Sequence, residues 1–206
     1  MIGDELPQDL LLLYTGGLRG DLHLLPRLHT FIRDVKNRVN TPSLLLDLGD
    51  SCAPESWHCA ATGGRSMLIA LDAMGCHAAR VDGLDAAGRE RLKANLMGMA
   101  LVDALHPWQH ERGITVTAHL PDPAARLSIL LAPAEVTQLD GTTLRLAGAR
   151  AGQLGVVQVR LLEHAAVSLV KSQILEMPRE TQPDPTIAGV VDFIEAEARH
   201  FQRRSD

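Results

Sequence analysis

"LLLYTGGLRGDLHLLPRLHTFI", residues 11–32, passes from an apolar run through Thr15-Gly16-Gly17-Leu18-Arg19-Gly20 into an amphipathic segment. Residues 10–14 are apolar without alternation, which reads as a strand buried on both faces. From Leu22 onward, Leu24, Leu25, Leu28, Phe31, Ile32 and Val35 recur at helical spacing. Asp21 is placed to cap that helix, and Pro26 is tolerated in its first turn. Strand, tight turn, helix is a layout in which loop atoms converge on a ligand. Yet this turn offers glycines and one arginine, with no acid, thiol or imidazole.

The same order continues outward. "TPSLLLDLGDS" (41–51) is a second buried strand ending in Gly-Asp, and "GGRSMLIALDAMGC" (63–76) a helix closed by Gly75. "HAARV" (77–81) is a short strand, and "AAGRERLKANLMGMALV" (86–102) a helix running toward a further strand. Residues 8–106 thus read βαβαβα, which implies a parallel sheet with helices against it. Over 107–178 the segments "GITVTAHL", "RLSILLA", "GTTLRLAG", "LGVVQVRLLE" and "AVSLVKSQILEM" are strand-like. Asp-Gly in "LDGTT" signals a hairpin, and this half is expected to be mostly antiparallel. After the connector "PRETQPDP", residues 186–203 form a closing amphipathic helix. Its inward side is Ile187, Val190, Val191, Ile194 and Ala198, with Asp184 or Thr186 as cap. The whole of 1–206 is expected to be one domain.

Composition excludes several classes. Aromatic residues are 3% of the chain, apolar residues 46% and charged residues 22%. The core must therefore be aliphatic, with little surface for stacking on bases. The net charge is −5, and the basic run "RHFQRR" stands alone, so phosphate-driven nucleic-acid binding is not expected. No apolar run approaches the ~20 residues of a membrane span. The start "MIGDELPQD" is acidic and lacks the basic opening of a secretory leader. Three cysteines, an odd number, argue against a disulfide framework. The expectation is a cytoplasmic protein with reduced thiols.

In order and content these segments resemble the metallophosphatase domain of the 5′-nucleotidase family, within the calcineurin-like phosphoesterases. In that family the first strand ends in T-N-D-x-H-G and the second in L-L-L-D-x-G-D. A helix then leads to a strand ending G-N-H-E, and G-G-H-T-H comes much later. Here residues 15–20 match the first motif in position, and "SLLLDLGDS" (43–51) matches the second. "ALDAMGCHAARVDGLD" (70–85) falls on the third, "RLAGARAGQLGVVQVRL" (145–161) on a late strand, and "DPTIAGVVDF" (184–193) on the last helix. The resemblance implies a layered α/β sandwich flanked by helices, with a trimmed middle around 107–126.

The family holds two divalent metals through Asp, His, Asp, Asn and later histidines. By this resemblance the first pair falls on Gly17 and Arg19, and the bridging Asp on Asp50. The Asn-His pair falls on Gly83 and Leu84, with Asp85 beside them, and the late histidines fall on Pro133 and Glu135. Two-metal hydrolysis needs cations about 3.5–4 Å apart, each with several donors. A single carboxylate on a glycine-rich rim does not supply them. The expectation is a vestigial site without catalytic residues, metal or cofactor. Arg19 is expected to pair with a partly buried Asp50 in place of the metal, so that Arg19→Met lowers stability.

Other readings stay beside this one. Gly16, Gly17 and Arg19 form a candidate anion cradle, or simply a turn that needs small residues. Arg80 or Arg65 would enlarge such a cradle, and surface ion pairs explain those arginines equally. Asp50, Cys52, His58 and Cys59 are candidate metal ligands by residue type, although their spacing is not that of a zinc motif. Cys76 reads as a buried small hydrophobe and Asp47 as a structural carboxylate at a strand end. His106, His110 and His119 read as exposed loop histidines. Two functions remain open. One is a pseudoenzyme acting as scaffold, subunit or binding module, with a protein partner or a second copy of the chain. The other is a metal-dependent phosphoesterase, using manganese or zinc, rebuilt around Asp50, Asp85, His58 and the cysteines.

Overall fold

The computed structural model describes residues 8–82, 86–162 and 166–205. The first sheet is built from β1 (Gln8–Thr15), β2 (Ser43–Asp47), β3 (Ala78–Arg80), β4 (Ala100–Val102), β10 (Gln153–Leu161) and β11 (Val167–Glu176). Its order is β11-β10-β1-β2-β3-β4. The second sheet joins β5 (Trp108–His110), β6 (Ile114–Thr117), β7 (Leu127–Ala134), β9 (Thr143–Ala147) and β8 (Gln138–Asp140), in that order. The helices are α1 (Leu25–Asn37), α2 (Trp57–Thr62), α3 (Arg65–Ala73), α4 (Ala86–Lys93) and α5 (Pro185–Ser205).

Period-two geometry divides β1 between two cores. Leu11 and Leu13 face a cluster containing Leu25, Leu28 and Ile32 of α1, Met67 and Leu71 of α3, and Ile187, Val191 and Ile194 of α5. Leu10, Leu12 and Tyr14 face the second sheet, against Val116, Ile129, Leu131 and Leu144. β1 and β2 are therefore buried on both sides, which is why they read as unbroken leucine runs. The molecule is layered as helices, sheet and sheet. Asp21 accepts the Leu24 N–H, and Asp184 accepts those of Thr186 and Ile187 at 2.9 and 3.2 Å. Asp184 stands where the sequence places it, whereas Asp21 caps a 3-10 turn, Leu22–Leu24, that leads into α1, and α1 itself starts without a side-chain cap.

Three expectations are corrected. The β half is mixed rather than mostly antiparallel, because β6–β7 and β7–β9 pair in parallel. Only residues 118–126 separate β6 from β7, a crossover too short to carry a helix of its own. Asp122 braces it, accepting from Thr115 Oγ1 at 3.0 Å while its own N–H donates to Ser128 Oγ at 3.0 Å. Secondly, β10 and β11 leave that half altogether. β10 joins β1 antiparallel, through pairs such as Leu12 with Val157 and Tyr14 with Gly155. Thirdly, His110 lies on β5, stacked edge-on to Trp108, instead of in a loop.

Candidate functional site

The carboxyl ends of β1, β2 and β3 lie side by side, with Thr15 beside Asp47 and Asp47 beside Ala79. In open α/β sheets that end is where ligands bind. The loops leaving β1 and β2 are joined backbone to backbone. Gly17 N donates to Gly49 O at 3.0 Å, Arg19 N to Asp50 O at 2.9 Å and Gly20 N to Ser51 O at 2.8 Å. Arg19 and Asp50 both take positive φ, 50° and 55°. The N–H groups of Gly17 and Arg19, two of those the candidate anion cradle would use, are thus spent on carbonyls.

Asp47 is the buried centre of this junction. Its Oδ1 accepts from Thr15 Oγ1 at 2.9 Å, and its Oδ2 from Gly49 N at 3.0 Å and Ser51 Oγ at 2.5 Å. Burial pushes its carboxyl up to about 6, against the three hydrogen bonds that favour the anion. It is a structural carboxylate, and it fixes the turn that carries Asp50 outward.

A hollow of about 420 Å³ opens above the junction, lined by Gly16, Gly17, Asp50, Arg80, Asp82, Pro133, Glu135 and Arg150 among others. It gathers positions 17, 50, 133 and 135 from three distant parts of the chain. Of the other aligned positions, Gly83, Leu84 and Asp85 lie outside the described residues, and Arg19 is not among the lining residues. Arg19 stands beside Asp50, with its guanidinium 3.6 Å from Asp50 Oδ2 and 3.9 Å from Glu55 Oε2. Arg80 drapes its stem along Gly49 and binds Asp82 at 2.8 Å. Asp82 and Arg150 were not legible as site residues. The available signal was their position just after a strand's carboxyl end.

The Arg19–Asp50 pair is exposed, at 63% and 58% of the side chains, which corrects the expectation of partial burial. Exposed ion pairs contribute little, because water screens them and ordering two side chains costs entropy. Arg19→Met is therefore expected to move the melting temperature by no more than about 2 °C, measured by differential scanning calorimetry.

The cysteine expectation is also corrected: Cys52 and Cys59 form a disulfide, with Cα atoms 5.7 Å apart, and Cys76 alone is free. An odd count excludes only complete pairing. Cys59 lies on α2, a short helix that the sequence does not announce. His58 is buried with both ring nitrogens committed. Its Nε2–H donates to Gly20 O at 2.8 Å, so its Nδ1 accepts from Ser66 Oγ at 2.8 Å. Of the four candidate metal ligands, only Asp50 keeps its donor atoms turned to solvent. Cys76 is buried, which raises its thiol well above the ordinary value.

Among solved structures the fold matches NAD nucleotidase (NadN) of Haemophilus influenzae, with a TM-score of 0.64 at 10% identity over 94% of this chain and 61% of that one. It matches sulfate thiohydrolase SoxB of Thermus thermophilus with the same TM-score and coverage at 14% identity. A 5′-nucleotidase precursor, also of Thermus thermophilus, matches at 0.60 and 12% identity, over 93% and 59%. The fold is thus the calcineurin-like α/β sandwich of the nucleotidase structures, in a chain that spans about 60% of their length. No family model and no curated protein sequence matches it.

Proposed function

We propose that this domain of nucleotidase fold is non-catalytic and serves as a scaffold, subunit or binding module, with a protein or a second copy of the chain as its counterpart. The observation that carries the reading is the placement of arginine around Asp50. Arg19 sits 3.6 Å from its carboxylate, and Arg80 lines the same hollow. A guanidinium cannot be deprotonated in a protein, so the positive charge there is permanent. A divalent cation approaching Asp50 would meet that charge before it met enough oxygen donors.

The hydrolase reading is built around Asp50, Asp85, His58 and the cysteines; Asp85 lies outside the described residues, and the hollow of Asp50 adds the carboxylates of Asp82 and Glu135. It cannot use the cysteines, which are bonded to each other, or His58, which is enclosed. A phosphoesterase assay with a generic aromatic phosphate ester and manganese separates the two. The pseudoenzyme reading expects turnover at the level of the buffer control, unchanged in Asp50→Ala. Manganese-dependent turnover that Asp50→Ala abolishes would reject it.

No helix among the described residues is long and apolar enough to cross a membrane. The cytoplasmic expectation rested on reduced thiols, and the disulfide removes that support. Stable disulfides belong mainly to oxidising compartments.

A further inference from the structure

The Cys52–Cys59 disulfide has two unlike ends. Cys59 is buried at 4% exposure, whereas Cys52 is half-buried and lines a second hollow of about 330 Å³ with Gly63, Gly64, Arg80 and Asp82. Ser66 Oγ lies 3.8 Å from Cys52 Sγ and 4.0 Å from Cys59 Sγ. Between the two cysteines runs Ala53-Pro54-Glu55-Ser56-Trp57-His58. That segment holds the Arg19 turn at three points. Glu55 pairs with the guanidinium at 3.9 Å, Ser56 Oγ donates to Arg19 O at 3.1 Å, and His58 donates to Gly20 O. Gly20 packs so closely on Ser56 that a β-carbon there would overlap its side chain.

We propose that Cys52–Cys59 is a thiol–disulfide exchange site, opened through the hollow by attack of a dithiol on Cys52, and that the bond latches the Arg19 turn. One thiolate of the dithiol bonds to Cys52 Sγ as the Cys52–Cys59 bond breaks. Cys59 leaves as a thiolate beside the Ser66 hydroxyl and takes a proton. The second thiol then attacks the reductant's own sulfur and releases Cys52, which is protonated in turn. The protein gains two electrons and two protons, and the dithiol leaves as a cyclic disulfide. Attack at Cys52 follows from access, because Cys52 lines the hollow whereas Cys59 is buried. Opening the bond frees residues 53–58 from their eight-residue ring, and with them the Glu55, Ser56 and His58 contacts, so that the Arg19 turn keeps only its backbone bonds to Asp50 and Ser51. The proposal rests on loop geometry, and its readouts are independent of any phosphoesterase activity.

The test uses the full chain without denaturant. After dithiothreitol treatment and maleimide labelling, peptide mass spectrometry should find Cys52 and Cys59 modified and Cys76 unmodified. In single variants, Cys59→Ser leaves the Cys52 thiol and Cys52→Ser leaves the Cys59 thiol. The first should react with glutathione disulfide about tenfold faster than the second. Trypsin should cut after Arg19 about tenfold faster in the reduced protein than in the oxidised one, since cleavage follows local opening. A bond that opens only together with Cys76 labelling is a structural staple, and that result overturns the proposal. Equal reactivity of the two variants overturns the attack at Cys52, and an unchanged cut at Arg19 overturns the latch.

Discussion

Gly155→Ala is expected to destabilise the protein by about 3 kcal/mol or more, lowering the melting temperature by roughly 6–12 °C. Gly155 on β10 stands directly opposite Tyr14 on β1. Opposed residues of an antiparallel pair send their side chains to the same face. Tyr14 is fully buried between the sheets, and its ring lies flat over Gly155, so that a β-carbon would overlap the ring itself. Leu12, Leu144 and Leu146 belong to the same buried cluster, and close-packed interiors leave a displaced ring little room. The cause can be isolated by adding Tyr14→Leu. If the clash is responsible, the double variant should lose at least about 1 kcal/mol less than the two single losses combined. Strict additivity in urea unfolding would show that Gly155 is needed for another reason.

Asp47→Ala should cost about 3–5 kcal/mol, because it leaves the Thr15 hydroxyl, the Ser51 hydroxyl and the Gly49 N–H buried without their shared acceptor. The same residue gives a pH signature. Its carboxyl stands at about 6 in the fold, raised by burial, against an ordinary 3.8 in the unfolded chain. Between those values the folded state holds a proton that the unfolded state has released. Asp47 therefore contributes most stability at low pH and loses it as pH rises from about 4 to about 6, about 3 kcal/mol in all. Two other groups pull differently. His77, lowered by burial, is charged more readily in the unfolded chain and favours folding as pH rises toward its ordinary value. Asp103 is opposed by burial, but the N–H groups of Leu105 and His106, the His106 ring and the Arg89 guanidinium hold it down at about 2. Its contribution is present above about 4 and lost toward pH 2. The comparison to make is Asp47→Asn with the parent: their stability difference in urea should narrow as pH rises from 4 to 6. A difference flat across that range would show that Asp47 ionises normally.

What the sequence made legible was local. The leucine runs of β1 and β2 carry their burial on both faces in their lack of alternation. The caps at Asp21 and Asp184 are short-range hydrogen bonds with short-range signals. The meeting of residues 15–20 with Asp50 follows from two parallel strands that end together. What was hidden is set by contacts across the fold. Strand alternation is the same for parallel and antiparallel pairing, so the directions of β6, β7 and β9 could not be read from it. α2 is six residues long, and its face is too short for a periodic pattern. The Cys52–Cys59 bond depends on that helix bringing Cys59 back to the loop. The exposure of the Arg19–Asp50 pair depends on how the two loops meet in the fold, which no single segment encodes.

The non-catalytic reading we propose turns on one replacement, arginine for a cation at the hollow of Asp50. Calorimetric titration of manganese into the oxidised protein, freed of metal and returned to chelator-free buffer, tests that replacement. No saturable binding at micromolar concentrations is expected, and Asp50→Ala should give the same flat trace. Stoichiometric binding that Asp50→Ala removes would contradict it, and would place a working metal centre where Arg19 now stands.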